Sequence, residues 1–203
     1  MAVVDPVSGR ECPRARFDAA GRLGNADQAV GELVGRNLAG SFERYFENPQ
    51  ADAERVRHGW YWSGDLAYRD QQGWFYFAGR AGDWLRVDSE RFAAAPLERI
   101  LGRFAPLSSA AVYPVPDPRT GDQVMAALEL VSGALFVPET FGAFLGAQGD
   151  LGTTWAPRFV RIVPQMPLTA SLKVRKALLR QEAWRCADPV YWQPGPRGRP
   201  PAT

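Results

Sequence analysis

The sequence predicts an α+β fold in two parts: a small antiparallel β-barrel-like subdomain, followed by a small sheet with packed helices. Three observations carry this reading. Residues 1–79 are mostly short apolar runs cut by clusters of Asp, Asn, Gly, Ser and Pro, the pattern of closely spaced strands and turns. After Arg80, strand-like and helix-like segments alternate. Finally, 46% of the 203 residues are apolar, with seven Trp and eleven Phe, ample for packed cores in one domain or two small ones.

In chain order, turns at Asp5-Pro6-Val7-Ser8-Gly9, Asp18-Ala19-Ala20-Gly21 and Asn25-Ala26-Asp27 separate the first strands, and Gly31–Gly35 reads as a strand entering a turn. Asn48 as cap and Pro49 in the first turn predict a short helix over Gln50–Arg57. The only histidine, His58, reads as a loop residue, since no carboxylate or nucleophile pattern surrounds it. A turn at Asp70-Gln71-Gln72-Gly73 joins the run ending there to the aromatic strand Trp74-Phe75-Tyr76-Phe77. Paired as a hairpin, these runs bring Asp65 and Arg80 to the same end. Trp84–Val87 and Arg91-Phe92 predict a second hairpin turning at Asp88-Ser89-Glu90.

Pro96 is expected to open a helix with Leu97, Ile100, Leu101 and Phe104 at helical spacing. Ala110–Val115 and Gln123–Val131 read as strands joined by the turn Asp117–Gly121. A second helix starts near Pro138-Glu139 with Phe141, Phe144 and Leu145 on one face; a third strand covers Arg158–Val163, and a helix Val174–Trp184. The Pro/Gly/Arg-rich tail is expected to be disordered. The domains expected are residues 1–79, 80–192 and the tail 193–203.

Formal net charge is only +2, with acids interleaved among the arginines, so no nucleic-acid partner is expected. No apolar run reaches about 18 residues, so no transmembrane segment is expected, and no signal peptide is read at Met1. Cys12 and Cys186 are far apart and fit a reduced, cytoplasmic protein. Of the 24 basic residues only Lys173 and Lys176 are lysines, a hint that an ammonium is needed there, because lysine is a compact point charge and arginine a planar fork.

Asp65 follows a glycine in Tyr61-Trp62-Ser63-Gly64-Asp65; its carboxylate can accept both hydroxyls of a ribose, and the Arg80 guanidinium can donate to the same sugar or to a phosphate. Over Gly59–Phe92, GWYWSGDLAYRDQQGWFYFAGRAGDWLRVDSERF resembles the adenylate-forming enzymes, specifically acyl-CoA synthetases of the fatty-acid and fatty-acid-transport-protein type. Their pattern runs Gly-Trp-Tyr-x-(Ser/Thr)-Gly-Asp, an aromatic strand, then Gly-Arg-x-Gly-Asp-Trp. Gly31-Glu32-Leu33 and Ser41–Pro49 resemble further segments of the same family. Pro167-Leu168-Thr169-Ala170-Ser171-Leu172-Lys173-Val174-Arg175 resembles its Pro-x-Thr-x-x-(Gly/Asn)-Lys-x-x-(Lys/Arg) motif.

The resemblance implies a ligase that uses ATP with Mg2+ and CoA to convert a fatty acid to its acyl-CoA, through an acyl-adenylate. By it, Asp65 and Arg80 bind the nucleotide, Gly82 is the hinge about which a mobile C-terminal domain turns, and Lys173 is the catalytic lysine. Ser89 and Arg91 would line the CoA channel; no metal-binding residues are implied. Two positions depart from the pattern: Ser89 stands for a glycine, and Leu172 for a small or amide residue. No glycine-rich phosphate loop followed by lysine occurs. The expectation is therefore the C-terminal portion of such an enzyme, lacking most of the N-terminal domain and inactive alone; the alternative is a lid that docks on a separately encoded adenylation domain. A cytoplasmic location is expected, with peripheral membrane association compatible.

Overall fold

The computed structural model describes residues 1–36, 55–88, 90–117, 121–152 and 154–193. It separates into two compact units, dividing after Asp83. The fold is α+β, and each unit has its own sheet.

The first unit is a curled, open antiparallel sheet. Its strands are β1 (Ala2–Val4), β2 (Gly31–Gly35), β3 (Val56–Arg57), β4 (Trp60–Arg69) and β5 (Phe75–Arg80), with one turn of helix, α1 (Ala26–Ala29), ahead of β2. Strand β4 is the hub, pairing with β2, β3 and β5. Ala2, Val4, Val34 and Trp62 form a buried cluster with Trp60 packed against it. Buried Asn25 ties down the preceding loop: its Oδ1 accepts from Arg16 N–H at 2.7 Å and its Nδ2 donates to the Arg14 carbonyl at 3.1 Å. The Asp70 turn closes as its residues demand, with Oδ1 accepting from Trp74 N–H at 2.8 Å and Oδ2 from the Tyr76 hydroxyl at 2.9 Å.

The expected helix over Gln50–Arg57 is corrected at its end, because Val56–Arg57 is strand β3. His58 and Gly59, at φ +53 and +74, form the two-residue turn whose twist matches a hairpin, and they fold Arg57 back onto Trp60. Residues 50–54, with the cap Asn48 and the Ser41–Pro49 segment, lie outside the described residues.

The second unit carries β6 (Trp84–Val87), β7 (Glu90–Ala93), α2 (Ala94–Leu101), β8 (Leu107–Asp117), β9 (Gly121–Leu130), α3 (Pro138–Gly146), β10 (Phe159–Val163), α4 (Lys176–Glu182) and β11 (Val190–Trp192). The sheet runs β11-β10-β9-β6-β7, with β8 also on β9. Among the described residues, β9 and β10 are the one parallel pair of this sheet. Gln123–Leu128 are six consecutive buried residues, as a strand covered on both faces requires. Tyr113, Met125, Phe159, Val163, Met166 and Leu179 belong to one buried cluster, while Phe92 stacks on Trp155 with centroids 4.9 Å apart.

Helix α2 begins at Ala94 rather than Pro96; proline is tolerated there because first-turn N–H groups have no intrahelical partner. Helix α4 is shorter than expected and stops where Ala183 turns to φ +48. Strand β11 was not anticipated; its three residues pair antiparallel with β10. No helix among the described residues is long and apolar enough to cross a membrane.

Candidate functional site

The Asp65–Arg80 pair is set by a flaw in the β4–β5 ladder. The strands pair Arg69 with Phe75, Tyr68 with Tyr76 and Ala67 with Phe77, but then Leu66 with Gly79 and Asp65 with Arg80. Ala78 is thus the extra residue of a β-bulge. Had the regular count continued, Asp65 would face Gly79. The bulge advances the register by one residue, which also moves side chains to the opposite face, and Arg80 Nη1 comes to lie 2.5 Å from Asp65 Oδ1. Gly79 at φ +123 takes the backbone angle that a side chain would resist.

The Arg80 side chain is 58% exposed and that of Asp65 33%. An ion pair so open to water adds little stability; what the geometry does is display a carboxylate and a guanidinium side by side. Around them, Asp65 N–H donates to Ser63 Oγ at 3.1 Å and Arg80 N–H to Asp83 Oδ2 at 3.4 Å.

The backbone just before Asp65 is fixed by a residue that the sequence reading gave no role. Glu32 on β2, only 5% exposed, accepts from Gly64 N–H at 3.0 Å through Oε1, and its Oε2 lies 3.3 Å from Arg57 Nη2. That guanidinium in turn sits 4.1 Å from the Trp62 ring centroid. Gly64 has φ +74, and the space of a Cβ there is filled by the Arg55 guanidinium, which donates to the Trp62 carbonyl at 3.2 Å. The only sequence signal for Glu32 was its place in the Gly-Glu-Leu segment.

Gly82 is exposed in a 3-10 turn over Ala81–Asp83. A Cβ added to it would meet nothing, so this conformation does not itself demand glycine. Arg91 lies on β7 opposite Arg86, its guanidinium 4.2 Å from the centroid of Trp84. Ser89 lies outside the described residues, between the paired Val87 and Glu90.

In the second unit Lys173 closes a tight hairpin loop. Leu168 bridges Val174, Leu172 N–H donates to the Thr169 carbonyl at 2.9 Å, and Thr169 N–H to the Lys173 carbonyl at 2.8 Å. Lys173 N–H donates to Thr169 Oγ1 at 3.1 Å, and Arg175 N–H to the Pro167 carbonyl at 2.8 Å. This is a turn followed by one left-handed residue, a standard three-residue hairpin loop. The left-handed residue is Leu172, at φ +59. The Gly/Asn preference in the motif thus has a backbone cause, and Leu172 occupies the position against its steric preference. Lys173 is exposed, and its ammonium has no ion-pair partner among the described residues. No cluster of three or more His, Cys, Asp or Glu that could hold a metal occurs among the described residues.

Residues 97–173 match the AMP-binding enzyme C-terminal domain. The chain is 52% identical over 191 residues to a steroid-22-oyl-CoA synthetase of Rhodococcus jostii, covering 94% of this chain and 34% of that protein. It is 48% identical over 191 residues to a medium/long-chain fatty acid–CoA ligase of Mycobacterium tuberculosis, covering 94% and 36%. The chain therefore spans about a third of the length of the curated relatives it matches. Among solved structures, ATP-bound MatB of Rhodopseudomonas palustris superposes with a TM-score of 0.71 at 24% identity, over 89% of this chain and 33% of that one. The amide bond synthetase McbA of Marinactinospora thermotolerans gives 0.70 at 28% identity, over 89% and 34%. By these matches residues 97–173 are an AMP-binding enzyme C-terminal domain, in a chain that is similar to about a third of the length of acyl-CoA ligases.

Proposed function

We propose that this chain is the C-terminal part of a ligase that joins CoA to the carboxylate of a fatty acid or of a steroid side chain, with ATP cleaved to AMP and pyrophosphate. The observation that carries the reading is the bulge-registered pair. Asp65 and Arg80 side by side offer an acceptor for ribose hydroxyls and a donor for sugar or phosphate oxygens. Lys173 is the catalytic residue of the adenylation step: its ammonium meets the negative charge that builds on oxygens as the carboxylate attacks the α-phosphate. ATP would supply the leaving group, and Mg2+ bound with it would offset phosphate charge. Gly82 is the hinge that carries Lys173 toward the nucleotide for adenylation and away for thioester formation. Ser89 and Arg91 flank the CoA path.

Such chemistry depends on holding reactants together, so the residues here act with the remaining two-thirds of the enzyme, and alone they do not turn over. A second reading, a lid docking on a separately encoded adenylation domain, is favoured by one observation: Trp74, just ahead of β5, and Phe75 and Phe77 on it stand 70%, 40% and 62% exposed, an apolar strip of the kind that partners cover.

A chimera tests the first reading, with this chain replacing the matching third of the Rhodococcus steroid-22-oyl-CoA synthetase. In an active chimera, Lys173→Ala is expected to slow pyrophosphate release about 10²–10³-fold, as for loss of one transition-state donor, and to leave thioester formation from preformed acyl-adenylate intact. Full-rate adenylation by the variant would refute the assignment of Lys173.

A further inference from the structure

The second lysine of the chain sits three residues after the first, and its surroundings are the opposite. Lys176 Nζ lies 2.8 Å from Glu98 Oε1, with side chains 17% and 23% exposed. Glu98 belongs to α2, and the same Oε1 accepts from Val112 N–H at 2.8 Å. Val112 is on β8, a strand whose only ladder partner among the described residues is β9. The carboxylate therefore satisfies a donor on the open side of β8 and holds the first residue of α4 at the same point.

The other end of α4 is held too. Glu182, its last residue, lies 2.7 Å from Arg161 Nη2. That guanidinium also pairs with Asp188 at 2.6 Å and is only 8% exposed. Between the anchors, Leu179 is buried in the Tyr113 cluster. The Lys173 loop leads straight into this helix, with one extended bridge residue, Val174, and Arg175 between.

We propose that the Lys176–Glu98 pair is the strut that sets where the Lys173 loop stands on the second unit, making Lys176 and Glu98 positioning residues. This rests on the reading of Lys173 given above. A freely jointed loop would scatter the ammonium over several ångströms, and a small misplacement of a reacting group is enough to lose much of its effect. Lysine suits the task where the rest of the chain uses arginine. One oxygen already engaged by a backbone N–H leaves room for a point charge, whereas a guanidinium fork seeks both carboxylate oxygens.

The chain holds only two lysines, so protein labelled with [15N]lysine gives two lysine amide signals, one of them from Lys173. Glu98→Gln keeps an acceptor for Val112 N–H and removes the charge; Lys176→Met keeps the stem and removes the ammonium. In either variant the Lys173 amide order parameter is expected to fall from about 0.85 toward 0.6 or below, while the unfolding midpoint moves little. The double variant is expected to be no looser than either single, because the two groups act as one unit. In the active chimera, Glu98→Gln is expected to lower the adenylation kcat about tenfold with the nucleotide KM unchanged. An unaltered order parameter in both single variants overturns the strut. If the loop loosens in the variants but Lys173→Ala leaves adenylation at full rate, the strut stands and the assignment of Lys173 fails.

Discussion

The Asp65–Arg80 pair and the Lys173 loop use opposite devices to present charge. Asp65 and Arg80 lie on paired strands and neutralise each other across 2.5 Å. Lys173 lies on a hairpin loop with an exposed ammonium that has no ion-pair partner among the described residues. The difference matches what each is asked to do. A ribose brings its own hydroxyls, which can share a carboxylate and a guanidinium already in place, so a preformed pair costs a ligand little reorganisation. An ammonium that must answer charge developing in a transition state is more use unengaged, since no ion pair has to break at that moment. Register holds the first; the loop's own hydrogen bonds and the anchored helix behind it hold the second.

Breaking the pair is expected to have the largest effect. Replacing both members, Asp65→Ala with Arg80→Ala, removes the carboxylate acceptor and the guanidinium donor together. In the chimera, AMP affinity measured by calorimetry should fall about 10–100-fold, the loss of one or two charge-assisted hydrogen bonds. Lys173→Ala should leave that affinity within about twofold. Equal losses from both changes would erase the contrast between a binding pair and an acting cation.

A smaller effect sharpens the loop side. Leu172→Gly relieves a left-handed leucine, though glycine adds entropy to the unfolded chain. The net expectation is a gain of about 0.5–1 kcal/mol, read as a higher denaturant midpoint for the second unit. A fall in that midpoint would mean that the leucine side chain contributes packing that its 79% exposure denies.

The smallest effect concerns the turn behind the strand pair. Asp70 is 4% exposed, and burial alone would raise its pKa. Hydrogen bonds from the Tyr76 hydroxyl and from the backbone at Trp74 outweigh that and hold it below the ordinary carboxylate value. Its folded pKa therefore lies below the unfolded one. The stability it contributes is complete above about pH 4 and is lost as the pH falls through the folded value. Asp70→Asn should flatten the acid limb of the stability curve without shifting the AMP affinity, as chemical unfolding between about pH 2 and 6 would read.

Much of this was written locally in the chain. The Asp70–Gly73 turn, the aromatic strand after it, and the helix carrying Leu97, Ile100 and Leu101 depend on neighbours within a few residues, and such signals survive in a linear reading. What escaped depends on distant partners or on a count. Nothing in the composition of Phe77-Ala78-Gly79 distinguishes a bulge from a regular strand. Glu32 meets Gly64 across 32 positions of sequence, and the three residues of β11 find their identity only against β10. Val56–Arg57 is a strand because the His58–Gly59 turn folds it onto β4, a preference that outweighs the helical look of the segment before it. The Leu172 departure was visible as an oddity, but its meaning required the φ angle.

The aromatic strip on β5 has an optical consequence. Of the seven tryptophans, six are buried or half-buried, and Trp74 alone stands in water at 70% exposure. Iodide quenching of the intrinsic fluorescence will therefore be dominated by this one indole. Whatever covers β5 should protect that fraction of the emission and shift it to the blue. The surface that a partner would bury thus carries its own built-in lamp, readable without adding a label.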